Sequence, residues 1–341
     1  MLTIENKFEF FKLISTPQLS QFICVAAKFG IADYLDTSKQ PMRVEDIALF
    51  ASLNENATER MLRILASYGI FEQTSDERFQ PTPLAEPLRT ESPDSLRYFT
   101  IMLGEPWMRQ AWSEISYTLE TGKPAFNYVH GMGTFEYFKA HPGAGEIFNK
   151  AMGELTRLEM PALKEVFGSL MLSGKERVVD IGGGQGTLLK AFLEEYSSLT
   201  CELFEKPEVL EGMGDRVDKR IVLGSGDFFS NSIPSNGDIY VLQRILHDWG
   251  NDQARRILRN IRSAMRSDAQ LFIFEIVIST DPTEWQLHPE KQLMDGVMMV
   301  VEGGADRTEK EFRELLDSTG FEIQNIVHTH SPTSIIVAKP R

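Results

Sequence analysis

Residues 177–192 read RVVDIGGGQGTLLKAF: an apolar run closing on an aspartate, a glycine-rich loop, then an amphipathic stretch. A strand that feeds a helix through such a loop is the opening unit of a layered α/β domain. The rest of the C-terminal half continues the alternation. Apolar runs RVVDIG, CELFEK, RIVLGSGD, DIYVLQ, QLFIFEIVI, FEIQNIV and TSIIVAK are separated by helical or loop segments, giving seven candidate strands from Glu176 onward. The middle runs are continuously apolar, as parallel strands covered on both faces require. A doubly wound α/β domain follows, with its ligand expected at the C-terminal ends of the strands.

The loop restricts which ligand. Its glycines at 182, 184 and 186 are spaced G-x-G-x-G, and the dinucleotide pattern would need a glycine where Thr187 stands. Asp180 ends the first strand, where a carboxylate disfavours a pyrophosphate and suits ammonium or hydroxyl groups. Glycines let a backbone approach such a ligand closely. At the end of the second strand, Glu205 is placed to accept hydrogen bonds from ribose hydroxyls. Asp227, in GSGDFF after the third, is placed to meet an adenine amino group, with Phe228 or Phe229 packing on the ring. Ribose, adenine and an amino-acid group without phosphate describe S-adenosylmethionine.

From Pro17 to about Leu170 the texture is helical. ATERMLRILASYGIF sets Met61, Leu62, Ile64 and Leu65 on one helical face and stops at Gly69. Two short β-prone pieces and a proline-rich exit follow, which is the texture of a winged helix. DNA binding is disfavoured: Arg60 and Arg63 are offset by Glu55 and Glu59, and the chain carries a net charge of -14. Protein–protein packing is the expected use of this segment. At 341 residues, two domains are expected. Cys24 and Cys201 read as reduced core residues, with neither disulfide nor metal role. No signal-peptide core and no long uncharged apolar stretch is present, so no membrane partner is expected and the cytoplasm is the expected location, while the acidic charge makes nucleic acid an unexpected partner.

His247 lies in VLQRILHDWGNDQARRIL, between an apolar run and an aspartate–tryptophan pair. That stretch alone leaves a catalytic and a merely local role both open. Taken with GKPAF, FNKAM, VVDIGGGQGTLL, LHDW and GGADRTEKEFRELLDSTGF, however, nearly the whole chain resembles the S-adenosylmethionine-dependent small-molecule O-methyltransferases, the family of plant caffeate-type and bacterial natural-product enzymes. The resemblance implies a Rossmann-like seven-stranded methyltransferase domain (171–341), an N-terminal α-helical winged-helix dimerisation domain (1–100) that makes a homodimer, and connecting helices (101–170) that contribute to the acceptor pocket.

Position by position, the resemblance implies cofactor contacts at Gly182, Glu205, Asp227 and Phe229, to which Asp180, Gly184, Gly186, Phe228, Gln243 and Trp249 are added as candidates. It makes His247 the catalytic base, flanked by Glu275 and Asp306. It sets Met102, Leu103, Phe148, Met152, Met298 and Glu302 along the acceptor. Four positions depart from the family pattern: Glu205 where aspartate is usual, Gln243 where plant members carry lysine, Asp306 where glutamate is usual, and Leu103 where caffeate-type enzymes use asparagine. The last makes a phenylpropanoid acceptor a poor fit.

The implied activity is methylation of a hydroxyl on an aromatic or polyketide-like small molecule, yielding S-adenosylhomocysteine without a metal. A phenol titrates near 10, so a nearby histidine can take its proton as attack proceeds. Related chemistries (N- or C-methylation, hydroxylation, decarboxylation), a metabolite-sensing winged-helix regulator and a cofactor-binding scaffold without activity stay open. Two local alternatives also stand: Glu275 as a solvent-facing strand residue, and Asp306 as the cap of the helix that follows it. His328 and His330 are expected at the surface of a late strand, and His130, His141 and His288 in loops.

Overall fold

The computed structural model describes residues 3–213, 217–230 and 232–341. The chain forms two compact units, one of Met1–Arg109 and Phe138–Leu158, the other of Gln110–Tyr137 and Glu159–Arg341.

In the first unit, helices Thr16–Lys28, Ile31–Ser38, Val44–Ala51 and Glu55–Ser67 pack around a core that includes Ala27, Ile31, Leu35, Ile47, Leu62 and Leu65. The Glu55–Ser67 helix starts where Asn54 accepts the Ala57 amide at 3.0 Å. It buries Met61, Leu62 and Leu65, the expected face, with Ile64 half-buried beside them. Gly69, at φ 74°, turns the chain out of the helix into β1 (Phe71–Gln73). β1 pairs antiparallel with β2 (Phe79–Pro81), and Met42 bridges to Phe79 on the other side. Helices followed by a small hairpin reproduce the expected winged-helix texture.

The second unit carries the main sheet: β3 (Arg177–Ile181), β4 (Thr200–Glu205), β5 (Ile221–Ser225), β6 (Ile239–Gln243), β7 (Gln270–Ile278), β8 (Arg307–Thr308), β9 (Phe321–Val327) and β10 (Thr333–Pro340). Their order is β5-β4-β3-β6-β7-β10-β9, with β8 pairing β7. The seven expected strands are all present; β8 is an addition. Strands β3 to β7 run parallel, whereas β10 pairs antiparallel with both β7 and β9. Successive side chains alternate between two buried layers. Val179, Tyr240, Leu242 and Ile273 pack with Ile257, Leu258 and Ile261 of the Asn251–Ala264 helix. Val178, Val241 and Phe272 pack with Leu188, Leu189 and Phe192 of the Thr187–Glu195 helix.

Strand order reverses at β3, which lies between β4 and β6. The loops leaving β3 and β6 therefore open side by side at the C-terminal edge, where doubly wound sheets hold their ligands. The first is the glycine loop and the second carries His247. Among the described residues no helix is long and apolar enough to cross a membrane. Cys24 and Cys201 are buried and free, and burial pushes the Cys201 thiol up to about 12.

Candidate active site

Gly182, Gly184 and Gly186 all adopt left-handed backbone, at φ 72°, 57° and 72°. A side chain added at Gly184 would meet nothing within 4 Å, so the loop faces open space there. Gly183, which the spacing pattern skipped, has a different constraint: its Cβ would overlap the Asp180 carboxylate. Asp180 is packed beneath the loop rather than displayed at its mouth. Both of its oxygens are buried without a hydrogen-bond partner. Burial, and secondarily the Glu205 charge, push its pKa up to about 7.

Glu205, at the end of β4, accepts the Gly184 amide at 3.2 Å and the Lys206 amide at 2.7 Å, and burial raises its pKa. Asp227 is exposed and accepts the Phe229 amide at 2.8 Å, which shapes the turn after β5. The rings of Phe228 and Phe229 meet Trp249 edge-on, at 6.1 and 4.7 Å between centroids. Gln243 ends β6 with its amide nitrogen buried and without a partner. Carboxylates at the loop and the next two strand ends, with aromatic faces beside them, fit a nucleoside carrying amino and hydroxyl groups and oppose a polyphosphate.

After β6 the chain passes through Arg244, a non-glycine residue at φ 52°, into a single tight turn over Leu246–Asp248. Arg244 is held there by an ion pair with buried Glu159, which also accepts the Thr333 hydroxyl at 3.0 Å. His247 sits in the turn, 5% exposed. Its Nδ1 lies 3.1 Å from Asp306 Oδ1 and 3.7 Å from Glu275 Oε2; its Nε2 lies 3.3 Å from Asp248 Oδ1. Burial alone would lower its pKa, but the carboxylates of Glu275, Asp248 and Asp306 prevail and push it up to about 10.

Glu275 is completely buried, which excludes the solvent-facing alternative. Its Oε1 accepts the amides of Ile245, Leu246 and His247 at 3.1, 2.8 and 3.3 Å, so it holds the turn's backbone, while Asp306 is the nearer imidazole partner. Asp306 is not the cap of the following helix either. Thr308 caps it, accepting the Glu311 amide at 3.3 Å, while the Glu311 carboxylate accepts the Thr308 amide at 2.8 Å. Ligand-capable atoms of His247, Glu275 and Asp306 lie within 4.8 Å of one another. One oxygen of each carboxylate is already committed, to the turn amides and to the imidazole.

The family model for the O-methyltransferase domain matches residues 112–322, and that for the O-methyltransferase dimerisation domain matches residues 11–91. The chain belongs to the O-methyltransferase family. This methyltransferase is 34% identical to the phenazine O-methyltransferase PhzM of Lysobacter antibioticus, over 96% of this chain and 95% of that protein. It is 30% identical to a phenazine-1-carboxylate N-methyltransferase of Pseudomonas aeruginosa, over 94% and 93%. The crystal structure of LaPhzM matches with a TM-score of 0.90 at 34% identity, over 98% of this chain and 99% of that one. CalO1, a methyltransferase in calicheamicin biosynthesis solved with S-adenosylhomocysteine bound, matches at 0.82 and 26% identity over both full chains. Use of S-adenosylmethionine and assembly as a homodimer are thereby supported.

On the acceptor side, the methyltransferase divides the expected residues between its units. Met102 is buried, and Leu103, Phe148 and Met152 are half-buried, in the first unit. Met298 and Glu302 belong to the second, on a wide π-type turn, Met298–Glu302, of the kind frequent at functional sites. Glu302 accepts the Thr134 hydroxyl, and burial pushes its pKa up to about 8. It shares a cavity of about 350 Å³ with Asp248, Trp249, Phe135 and Thr134.

Sequence reasoning passed over Gly304 and Arg307. A Cβ on Gly304 would overlap the His247 carbonyl oxygen, so the turn that carries the histidine packs directly on that glycine. His328 and His330 are exposed as expected, but they lie beyond β9, in its connection to β10. His130 is the last residue of the Ala125–His130 helix rather than a loop residue.

Proposed function

We propose that this chain methylates a hydroxyl of an aromatic small molecule and that His247 takes the hydroxyl proton. The observation that carries this reading is the buried imidazole: Nδ1 is held by Asp306 while Nε2 lies 3.3 Å from Asp248, a residue that lines a cavity in the same unit. S-adenosylmethionine, when bound, supplies a methyl group on a positively charged sulfur. Gly182, Gly184, Gly186, Glu205, Asp227 and the Phe228–Phe229–Trp249 cluster are the residues that would hold it, with Asp180 and Gln243 beneath and beside them. An acceptor hydroxyl that replaces Asp248 on Nε2 gives up its proton there. Asp306 then stabilises the imidazolium and fixes its orientation. With the histidine near 10, its basicity matches that of a phenolate, so the proton transfer is close to balanced. No metal takes part in this proposal. The rings of Trp249 and Phe135, which line the cavity beside Asp248, would keep water from the reacting groups.

The same high pKa supports a second reading. At pH 7 a group titrating near 10 is neutral only about one time in a thousand, and an aromatic nitrogen with a free lone pair needs no base. N-methylation is therefore the rival, as the name of the Pseudomonas relative also suggests. The test is incubation with S-adenosylmethionine and a panel of hydroxylated and N-heteroaromatic compounds, with products fragmented by mass spectrometry, for the wild type and His247→Ala. An O-methyl product that disappears in His247→Ala supports the first reading. An N-methyl product that persists in the variant overturns it.

A further inference from the structure

Arg307 is 3% exposed, and nothing in the proton transfer above gives its charge a task. Its Nη1 donates to the Leu246 carbonyl at 2.8 Å, its Nη2 to the Trp249 carbonyl at 2.7 Å and its Nε to Asn251 Oδ1 at 3.2 Å. Those acceptors bracket His247 on both sides. On the opposite side of the turn, Glu275 takes three consecutive amides. The turn is thus clamped by an anion at its N–H groups and by a cation at its C=O groups. Arg307 also directly follows Asp306, the Nδ1 partner, whose own amide is fixed at 2.9 Å by Asp295 Oδ1. One dipeptide therefore holds the imidazole with its first side chain and the turn beneath the imidazole with its second.

We infer that Arg307 is a positioning residue for methyl transfer: its planar fork fixes the turn that aims His247, and its charge offsets the carboxylates gathered there. This rests on the assignment of His247 as the proton acceptor. The geometry calls for arginine, because three donors held in one plane meet acceptors spread over six residues; a lysine ammonium reaches one or two of them. Burying the guanidinium is offset only because each of its nitrogens finds an acceptor.

The experiment compares Arg307→Gln and Arg307→Lys, each alone and combined with His247→Ala. It measures kcat, KM for S-adenosylmethionine, and the NMR titration of the His247 imidazole in cofactor-free protein, assigned by its loss in His247→Ala. Arg307→Gln is expected to lower kcat about 10- to 100-fold with KM for S-adenosylmethionine within about twofold, as for an interaction that acts in the transition state. It is also expected to raise the imidazole pKa by about half a unit or more, since a nearby cation has been removed. Arg307→Lys recovers part of the rate. In the His247→Ala background Arg307→Gln costs nothing further. An equal loss in both backgrounds, an unmoved His247 titration, or full recovery with lysine each overturns the inference. Should Arg307→Gln fail to fold, Asn251→Ala removes one arm of the clamp and is expected to lower kcat about two- to fivefold; an unchanged kcat there counts against it. Full activity of His247→Ala alone would instead refute the role of His247, and the imidazole titration still reports on Arg307.

Discussion

Replacing Asp248 by asparagine perturbs the proton transfer most directly. Its carboxylate lies 3.3 Å from Nε2, the nitrogen proposed to take the acceptor's proton, and burial raises its own pKa to about 6. Two full charges at that separation interact by about 5 kcal/mol at an effective dielectric of about 20. The Asp248 side chain keeps 17% of its exposure, and solvent there screens the pair. Screening reduces the working value to about 2 kcal/mol, or roughly 1.5 pH units. Asp248→Asn should therefore move the alkaline rising limb of kcat/KM for the acceptor, which reports the free enzyme, downward by about 1–1.5 units. The less obvious consequence is a faster enzyme at pH 7. Well below its pKa, the neutral fraction of the base grows tenfold for each unit the pKa falls, while base strength declines about threefold for a Brønsted exponent near one half, leaving a gain of about three- to fivefold. Initial rates of methyl transfer from pH 6 to 10.5, at saturating cofactor and subsaturating acceptor, measure both effects. A limb that stays in place or moves upward refutes the argument, as does a slower variant at pH 7 with the wild-type limb.

Two further outcomes follow from the site's packing. Asp180 has a folded-state pKa of about 7 against an ordinary 3.8, so its contribution to stability is greatest at acid pH and is lost as pH rises through 7. Cofactor-free Asp180→Asn should therefore melt a few degrees above the wild type at pH 8, with the difference shrinking below pH 7 and closing only near pH 4; scanning fluorimetry showing it less stable at pH 8 sinks that account. Gly304→Ala should cost about 1–3 kcal/mol in urea unfolding, because the new methyl must displace the His247 carbonyl. It should lower kcat more than tenfold while calorimetric affinity for S-adenosylmethionine stays within twofold, and an unimpaired kcat contradicts the packing argument.

The strands, the glycine loop and the position of His247 were legible because each is written in contiguous residues: apolar runs for β3 to β7, left-handed glycines at 182, 184 and 186, a histidine where β6 gives way to a turn. The helix cap was misread. Asp306 stood as a candidate cap, whereas Thr308 followed three residues later by Glu311 is the capping-box pattern that the helix uses. What local pattern could not supply was the division of labour around the imidazole. Asp306 lies 59 residues from His247, and whether it or Glu275 meets Nδ1 depends on how β7 and β8 pair. Gly183 and Gly304 escaped notice for a related reason. Their requirement comes from an atom packed against them, the Asp180 carboxylate or the His247 carbonyl, and not from their own backbone angles.

The residues that matter nevertheless share a mark that a sequence can carry. Asp180 interrupts RVVDI, Glu275 interrupts LFIFEIVI, and both strands are buried on either side of the interruption. A carboxylate there cannot be a solvated surface residue and must either find donors or remain an uncompensated cost. Glu275 finds three amides, and through them the turn of His247 acquires one conformation. Asp180 finds none within the described residues. One interruption is satisfied by the fold itself. The other is left unsatisfied beneath the loop where the cofactor's charged end would arrive, which is where a locally unfavourable residue can be retained for binding.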